Sequence, residues 1–246
     1  MADAEIAANA EAFRVDLPKS LATNIAAHKA AELAKIDTSY ARLTVLQAFR
    51  SHVLHDIPVG AMGFFTEAQS DGLSSNVLIT AGMGRSALKS LRSLIENIVR
   101  AVYYADHQIE YRLWETKNHR PSFKSLFDYL QTHPDIRNLP STFSPANNLY
   151  RSWKDLSNAV HASLIDLRTS TNVEEIKLWR TDQATVAKWS KKQQEILENI
   201  SLLYLGIHRE RLQGAKVKPL RQALSHTIRS KFDAEINSSL GIKIAR

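Results

Sequence analysis

Residues 85–110, RSALKSLRSLIENIVRAVYYADHQIE, carry the strongest periodic pattern in the chain. Large apolar side chains recur there at steps of three and four residues, the spacing of one face of an α-helix. They are Leu88, Leu91, Ile95, Ile98 and Val102. The pattern predicts a central core helix over residues 78–105. Gly82 and Gly84 stand near its start, where they either allow close helix packing or mark the first turn.

The rest of the chain predicts further helices and no strand of convincing length. The predicted helices cover residues 2–14, 19–56, 108–115, 122–131, 145–168, 182–212 and 218–239. Pro18 is expected to separate the first two helices, and the glycine-containing stretch 60–76 is expected to form a loop. Scarce turn residues, 8 Gly and 7 Pro, also favour helices.

We therefore predict an all-α helical bundle with long core helices. The 246 residues are expected to form a single helical domain. Its parts are the N-terminal helices 1–60, the core bundle 74–212 and a C-terminal basic helix 217–240.

Composition excludes several kinds of site. The chain has no cysteine, so it forms no disulfide, thiolate metal site or cysteine nucleophile. No HExxH zinc helix, nucleophile elbow, dinucleotide fingerprint or EF-hand loop occurs, so no cofactor and no metal are predicted. His52, His55 and Asp56 have metal-ligand spacing, but histidines near the end of a helix are favoured by its dipole alone.

Charge and hydropathy bear on the partners and the compartment. Lys and Arg outnumber Asp and Glu by 32 to 25, which suits a polyanionic partner, although these residues are spread along the chain. No stretch reaches the roughly 18 apolar residues of a membrane span, and the first residues do not resemble a signal peptide. We expect a cytoplasmic protein that does not contact membranes.

Two helices carry candidate functional residues. On the predicted core helix, Arg92 and Glu96 lie one turn apart beside the apolar stripe. They form either a ligand strip or an ordinary ion pair. On helix 145–168, His161 shares one strip with Tyr150, Lys154 and Ser157. A histidine there is either a general base or a packing residue at the edge of the core.

Residues 85–110, followed by YRSWKDLSNAVHAS at 150–163, resemble the HEPN-like helical superfamily of bacterial toxin, abortive-infection and antiphage systems. The resemblance covers about residues 74–168. Members that cleave RNA carry an arginine and a later histidine separated by four to six residues, and pair two such motifs across a dimer. Here the positions that precede His161 by five to seven residues are Leu156, Asp155 and Lys154, and the nearest upstream arginine is Arg151.

The resemblance implies a homodimer that contacts RNA and acts as a metal-independent endoribonuclease. His161 would deprotonate a ribose 2′-hydroxyl or protonate the leaving oxygen, with Lys154 or Arg151 balancing the phosphate charge. The residues expected to contact RNA or to orient the histidine are Arg92, Glu96, Ser157 and Asn158.

Two other functions remain open from the sequence. The chain can be a non-catalytic scaffold or sensor subunit that binds a partner protein, with an apolar patch expected on the C-terminal helix. Alternatively, that basic helix is a nucleic-acid or partner-binding arm, with salt-dependent binding.

Overall fold

The computed structural model describes residues 2–161, 183–213 and 217–244, with side chains from residue 4 onward and only to residue 158 in the first range. These residues form helices and no strand, which confirms the all-α fold class. The helices are α1 (Ala2–Ala26), α2 (Ala30–His52), α3 (Val59–Thr80), α4 (Gly84–Asp106), α5 (Gln108–Glu115), α6 (Phe123–Thr132), α7 (Pro134–Arg137), α8 (Pro145–His161), α9 (Gln183–Ile207), α10 (Arg209–Leu212), α11 (Lys218–Thr227) and α12 (Asp233–Leu240). None of the described helices is long and apolar enough to cross a membrane.

α4 lies at the centre of the core, as its periodicity predicts. Leu91, Ile95 and Ile98 are fully buried on it, and α3, α8 and α9 pack around it. The helix begins at Gly84 and not at residue 78, because residues 78–80 still belong to α3. The turn between the two helices passes through Gly82, whose φ of 77° lies in the left-handed region that glycine adopts without strain.

The predicted loop at residues 60–76 is wrong, because these residues lie within α3. Its glycines serve close packing. A Cβ atom on Gly60 would lie 2.3 Å from the ring of Tyr111, and one on Gly72 would lie 2.7 Å from the side chain of Leu43. The glycines therefore let α3 approach α5 and α2 more closely than any other residue would allow.

The first two helices meet at residues 27–29 and not at Pro18, which lies inside α1. The turn is fixed by His28, whose side chain is fully buried. Nε2 of its ring lies 2.9 Å from the carbonyl oxygen of Thr80, and Nδ1 lies 3.1 Å from Oε2 of Glu32. The N–H of Lys29 donates to the same carboxylate at 3.0 Å. These contacts anchor the turn to the end of α3.

α5 and α6 lie where the sequence predicts them, within one residue at each end. Ser122 caps α6 by accepting a hydrogen bond from the N–H of Ser125 at 3.1 Å. α8 begins at Pro145 as predicted and is described as far as His161. The predicted continuation to residue 168 and the predicted start of the next helix at residue 182 lie outside the described residues.

The predicted continuous C-terminal helix is wrong, because the chain is extended at Ile228 and Arg229. α11 precedes this break, and a 3₁₀ turn and α12 follow it. Arg229 is drawn toward the buried carboxylate of Glu198, which accepts hydrogen bonds from its backbone N–H and its Nε, both at 2.9 Å. This contact ties the break to α9.

Polar side chains inside the bundle set the position of α9. The indole Nε1 of Trp189 donates to Oγ of Ser75 at 2.8 Å, and Nε2 of Gln193 donates to Oδ1 of Asn76 at 2.8 Å. Both acceptors lie on α3. Sliding α9 by one turn would break both bonds. This would be unfavourable, because buried polar groups are costly to leave unpaired.

Glu32 is expected to make the stability depend on pH in acid. The hydrogen bond from the N–H of Lys29, followed by that from His28, lowers the pKa of Glu32 below its usual value of 4.5. A carboxyl whose pKa is lower in the folded state stabilises the fold above its unfolded pKa, and this contribution is lost as the pH falls through the folded value. Glu32→Gln should therefore lower the free energy of unfolding by about 1–2 kcal/mol near neutral pH.

The measurement is urea unfolding of both proteins near neutral pH and in acid below pH 4.5, the unperturbed value of the carboxyl. The difference between wild type and Glu32→Gln should shrink in acid, because below pH 4.5 the unfolded chain binds a proton at this carboxyl more readily than the folded chain does. An equal difference at both pH values would show that the carboxylate charge at the α1–α2 turn contributes nothing.

Candidate functional site

Arg92 and Glu96 form an ion pair where α4 meets α8. Nη2 of Arg92 lies 2.9 Å from Oε1 of Glu96. The indole Nε1 of Trp153, on α8, donates to the same oxygen at 2.9 Å. The guanidinium of Arg92 also stacks over the indole, 5.0 Å from its ring centre. Three side chains from two helices therefore contact one another at this junction.

Arg100 extends this cluster on its other side. Its Nη1 lies 3.9 Å from Oε2 of Glu96, and its guanidinium carbon lies 5.7 Å from the ring centre of Phe123 on α6. The carboxylate of Glu96 is thus directed into the junction between helices, and its side chain is only 20% exposed. This arrangement favours the ordinary ion pair over a ligand strip for Arg92 and Glu96.

Arg151 and Lys154 lie on a different side of α8 from Trp153. Successive residues of a helix point about 100° apart, so Lys154 turns away from α4 while Trp153 faces it. Both cations are exposed and line a groove of about 650 Å³. The groove has a mainly polar lining: Ser141, Thr142, Ser144, Asn147, Asn148, Tyr150, Arg151, Lys154 and Asp155. We call it the α8 groove.

Contacts within the α8 groove fix its walls and moderate its charge. Nζ of Lys154 lies 5.6 Å from the ring centre of Tyr150. Asp155, the carboxylate in the lining, is paired with Nζ of Lys192 at 3.2 Å. Nδ2 of Asn148 donates to Oδ1 of Asn199 at 3.0 Å, which ties the groove to α9. The negative charge of Asp155 is therefore neutralised by the ammonium group of Lys192.

The remaining predicted residues follow along α8. The hydroxyl of Ser157 donates to the carbonyl oxygen of Trp153 at 2.9 Å, so it turns back onto its own helix. Asn158 is exposed. α8 is described as far as His161, whose side chain lies outside the described residues. Helical geometry places residue 161 one turn beyond Ser157 and two turns beyond Lys154, on the strip that the sequence predicts.

The structure thus separates the predicted site residues into two groups. Arg92 and Glu96 lie in the α4–α8 junction, whereas Arg151 and Lys154 lie in the α8 groove. Three lining residues were not predicted from the sequence: Ser141 and Thr142, which lie between two predicted helices, and Asn147. Asn147 could have been predicted, because it precedes Arg151 by one helical turn and therefore lies on the same side of the helix.

No known protein family, curated protein or solved structure matches this chain. The HEPN-like resemblance therefore stays a prediction. No group of three or more potential metal ligands converges among the described residues. Asp56, considered above with His52 and His55, is instead held by the guanidinium of Arg211 through two hydrogen bonds.

Proposed function

We propose that this chain is a HEPN-like protein of a bacterial defence or toxin system that binds RNA and cuts it without a metal ion. The observation that supports the proposal is the α8 groove, which gathers Arg151 and Lys154 on the helix that also contains His161. Phosphates attract cations and hydroxyl or amide donors, and unstacked bases attract aromatic rings. The groove offers the cations and, in Tyr150, the ring, whereas several of its hydroxyl and amide groups already donate within the protein.

In this proposal the residues of α8 have different roles in the reaction. His161 takes a proton from the ribose 2′-hydroxyl or gives one to the leaving oxygen. Lys154 precedes it by about 10 Å along the helix axis, at 1.5 Å per residue, and therefore contacts a neighbouring phosphate. Arg151, one turn further back, supplies the forked, bidentate phosphate contact that a lysine cannot make.

RNA affinity provides the first test of the proposal. We expect Arg151→Glu and Lys154→Glu each to weaken binding of a short single-stranded RNA by about tenfold or more, because each removes a phosphate contact and adds a repulsive charge. The slope of log affinity against log salt should fall by about one for each phosphate that is no longer neutralised. Fluorescence anisotropy at several salt concentrations measures both quantities.

Two variants serve as controls for this experiment. Arg112→Glu makes the same change of charge on an exposed arginine of α5 and should weaken binding much less. Glu96→Gln should leave RNA affinity unchanged, because this carboxylate faces Trp153 and not the α8 groove. If Arg112→Glu and Arg151→Glu weaken binding equally, net charge and not the groove attracts the RNA.

A scaffold or sensor subunit is the second candidate, and the exposed apolar side chains of α1 favour it. The apolar patch that the sequence predicts on the C-terminal helix is not exposed, because α11 packs against α2 and buries Leu220 and Leu224. Ile6 and Phe13, both on α1, are instead exposed. Under this candidate α1 binds a partner protein, and the chain performs no chemistry.

A further inference from the structure

An open cavity lies where the C-terminal ends of α4 and α9 meet the connection between α2 and α3. Its volume is about 210 Å³. For comparison, a cavity of about 150 Å³ binds a benzene molecule. Apolar side chains form part of the wall, among them Leu54, Ile57, Val102 and Ile207. We call it the α4–α9 cavity, and it has room for one six-membered ring with a short side chain.

A buried hydroxyl group of the cavity lining lacks a partner in the protein. Tyr204 is only 3% exposed, and its ring packs against Phe49 and Phe65. No described residue forms a hydrogen bond with its hydroxyl, although buried polar groups are normally paired. The hydroxyl oxygen is not sealed inside the protein, so the cavity is where it can meet a partner. Burial raises the pKa of Tyr204 above its usual value of 10.0, which keeps the hydroxyl protonated.

His208 is a second polar group of the lining whose side chain forms no hydrogen bond with a described residue. Burial, followed by the charge of Arg211, lowers the pKa of His208 to about 4, although Asp56 and Asp106 oppose this shift. The ring is therefore neutral near pH 7, and one of its nitrogens can accept a hydrogen bond. No proton on His208 balances the negative charge of these carboxylates.

The charged groups of the cavity leave the carboxylate of Asp106 without a cation. Both terminal nitrogens of Arg211 donate to Asp56, which neutralises that pair. Asp106 instead accepts a hydrogen bond from the hydroxyl of Tyr129 at 2.6 Å, and Nε2 of His133 lies 3.3 Å from the same oxygen. Burial opposes the ionisation of Asp106, but the hydrogen bonds from His133 and Tyr129 outweigh it and lower its pKa. No lysine or arginine of the described residues pairs with Asp106, so its charge stays unbalanced.

We propose that the α4–α9 cavity binds a small protonated amine whose apolar body is a single ring. Asp106, His208 and Tyr204 supply acceptors for the ammonium group, and the ring lies against the apolar wall. An anion is disfavoured, because the lining carries two carboxylates and one guanidinium that is already paired. The α8 groove shares no residue with this cavity, so the proposal does not depend on RNA cleavage.

Benzylamine and cyclohexylmethylamine are the probes, titrated into the full chain near pH 7 and followed by NMR. Each is a protonated amine on one ring, and we expect a dissociation constant of about 1 mM or lower for at least one of them. Benzyl alcohol has the same body without the charge, and benzoate reverses the charge. Both should bind at least about tenfold more weakly than the better amine. If neither amine binds, or if benzyl alcohol or benzoate binds as tightly, the proposal is wrong.

Two variants test whether the amine lies in this cavity. Asp106→Asn should weaken its binding about tenfold or more, because the charge is lost at nearly constant volume. Tyr204→Phe should weaken it about threefold or more and leave the free energy of unfolding nearly unchanged, because the lost hydroxyl has no described partner in the protein. Asp37→Asn and Tyr40→Phe, at exposed positions of α2, are the matched controls. Wild-type affinity in both Asp106→Asn and Tyr204→Phe would place the amine elsewhere and overturn the proposal.

Discussion

His161→Ala is expected to slow the cleavage of a mixed single-stranded RNA pool in EDTA at least about 100-fold. Proton transfer by a positioned side chain contributes a factor of this order, and the alanine variant has no group that replaces it. The measurement follows the disappearance of intact RNA on denaturing gels. The 3′ ends of the products should carry a cyclic phosphate, because the 2′-oxygen attacks the phosphorus and the 5′-oxygen leaves.

The controls separate this activity from contaminating nuclease and from general loss of structure. His55→Ala, at an exposed histidine in the connection between α2 and α3, should cut as fast as wild type. An RNA with 2′-O-methyl groups should resist both proteins, because it lacks the attacking hydroxyl. If wild type and His161→Ala cut equally, the activity does not belong to this histidine. If neither cuts, the scaffold or sensor function is favoured.

The sequence predicts the helices whose stability comes from their own amphipathic pattern. α4 was predictable because Leu91, Ile95 and Ile98 repeat at helical spacing and are all buried. α3 was not, because the glycines at positions 60 and 72 normally indicate loops. Their role is a close approach to Tyr111 and Leu43, residues that are distant in sequence, and no local pattern reveals such a contact.

The candidate site was also only partly predictable from the sequence. The spacing of Arg92 and Glu96 predicts their ion pair, but not the indole of Trp153, which follows Glu96 by 57 residues and directs the pair inward. Likewise, helical spacing places Arg151 and Lys154 on the exposed part of α8. The opposite wall of their groove comes from Ser141 and Thr142, which follow α7, and α7 packs against α6 and α9.

Arg229→Met should lower the free energy of unfolding by about 3 kcal/mol, the lower end of the range for breaking a buried ion pair. The side chain of Glu198 is 2% exposed, and the guanidinium of Arg229 neutralises it. Without that cation the carboxylate is left buried with an uncompensated charge. Because the Arg229 side chain is itself 47% exposed, we do not expect the upper end of the range. Urea unfolding measures the change.

Arg209→Met, at an exposed arginine of α10, is the matched control and should change the free energy of unfolding by less than about 0.5 kcal/mol. The double variant Glu198→Met with Arg229→Met should be more stable than Arg229→Met alone, because it removes the buried charge as well.

The same double variant also tests why the C-terminal helix is broken. Without this ion pair, the apolar repeat at Leu220, Leu224, Ile228 and Phe232 favours one continuous helix, and the helical signal in circular dichroism should rise. An unchanged signal would mean that packing at Ile228 breaks the helix and not the ion pair.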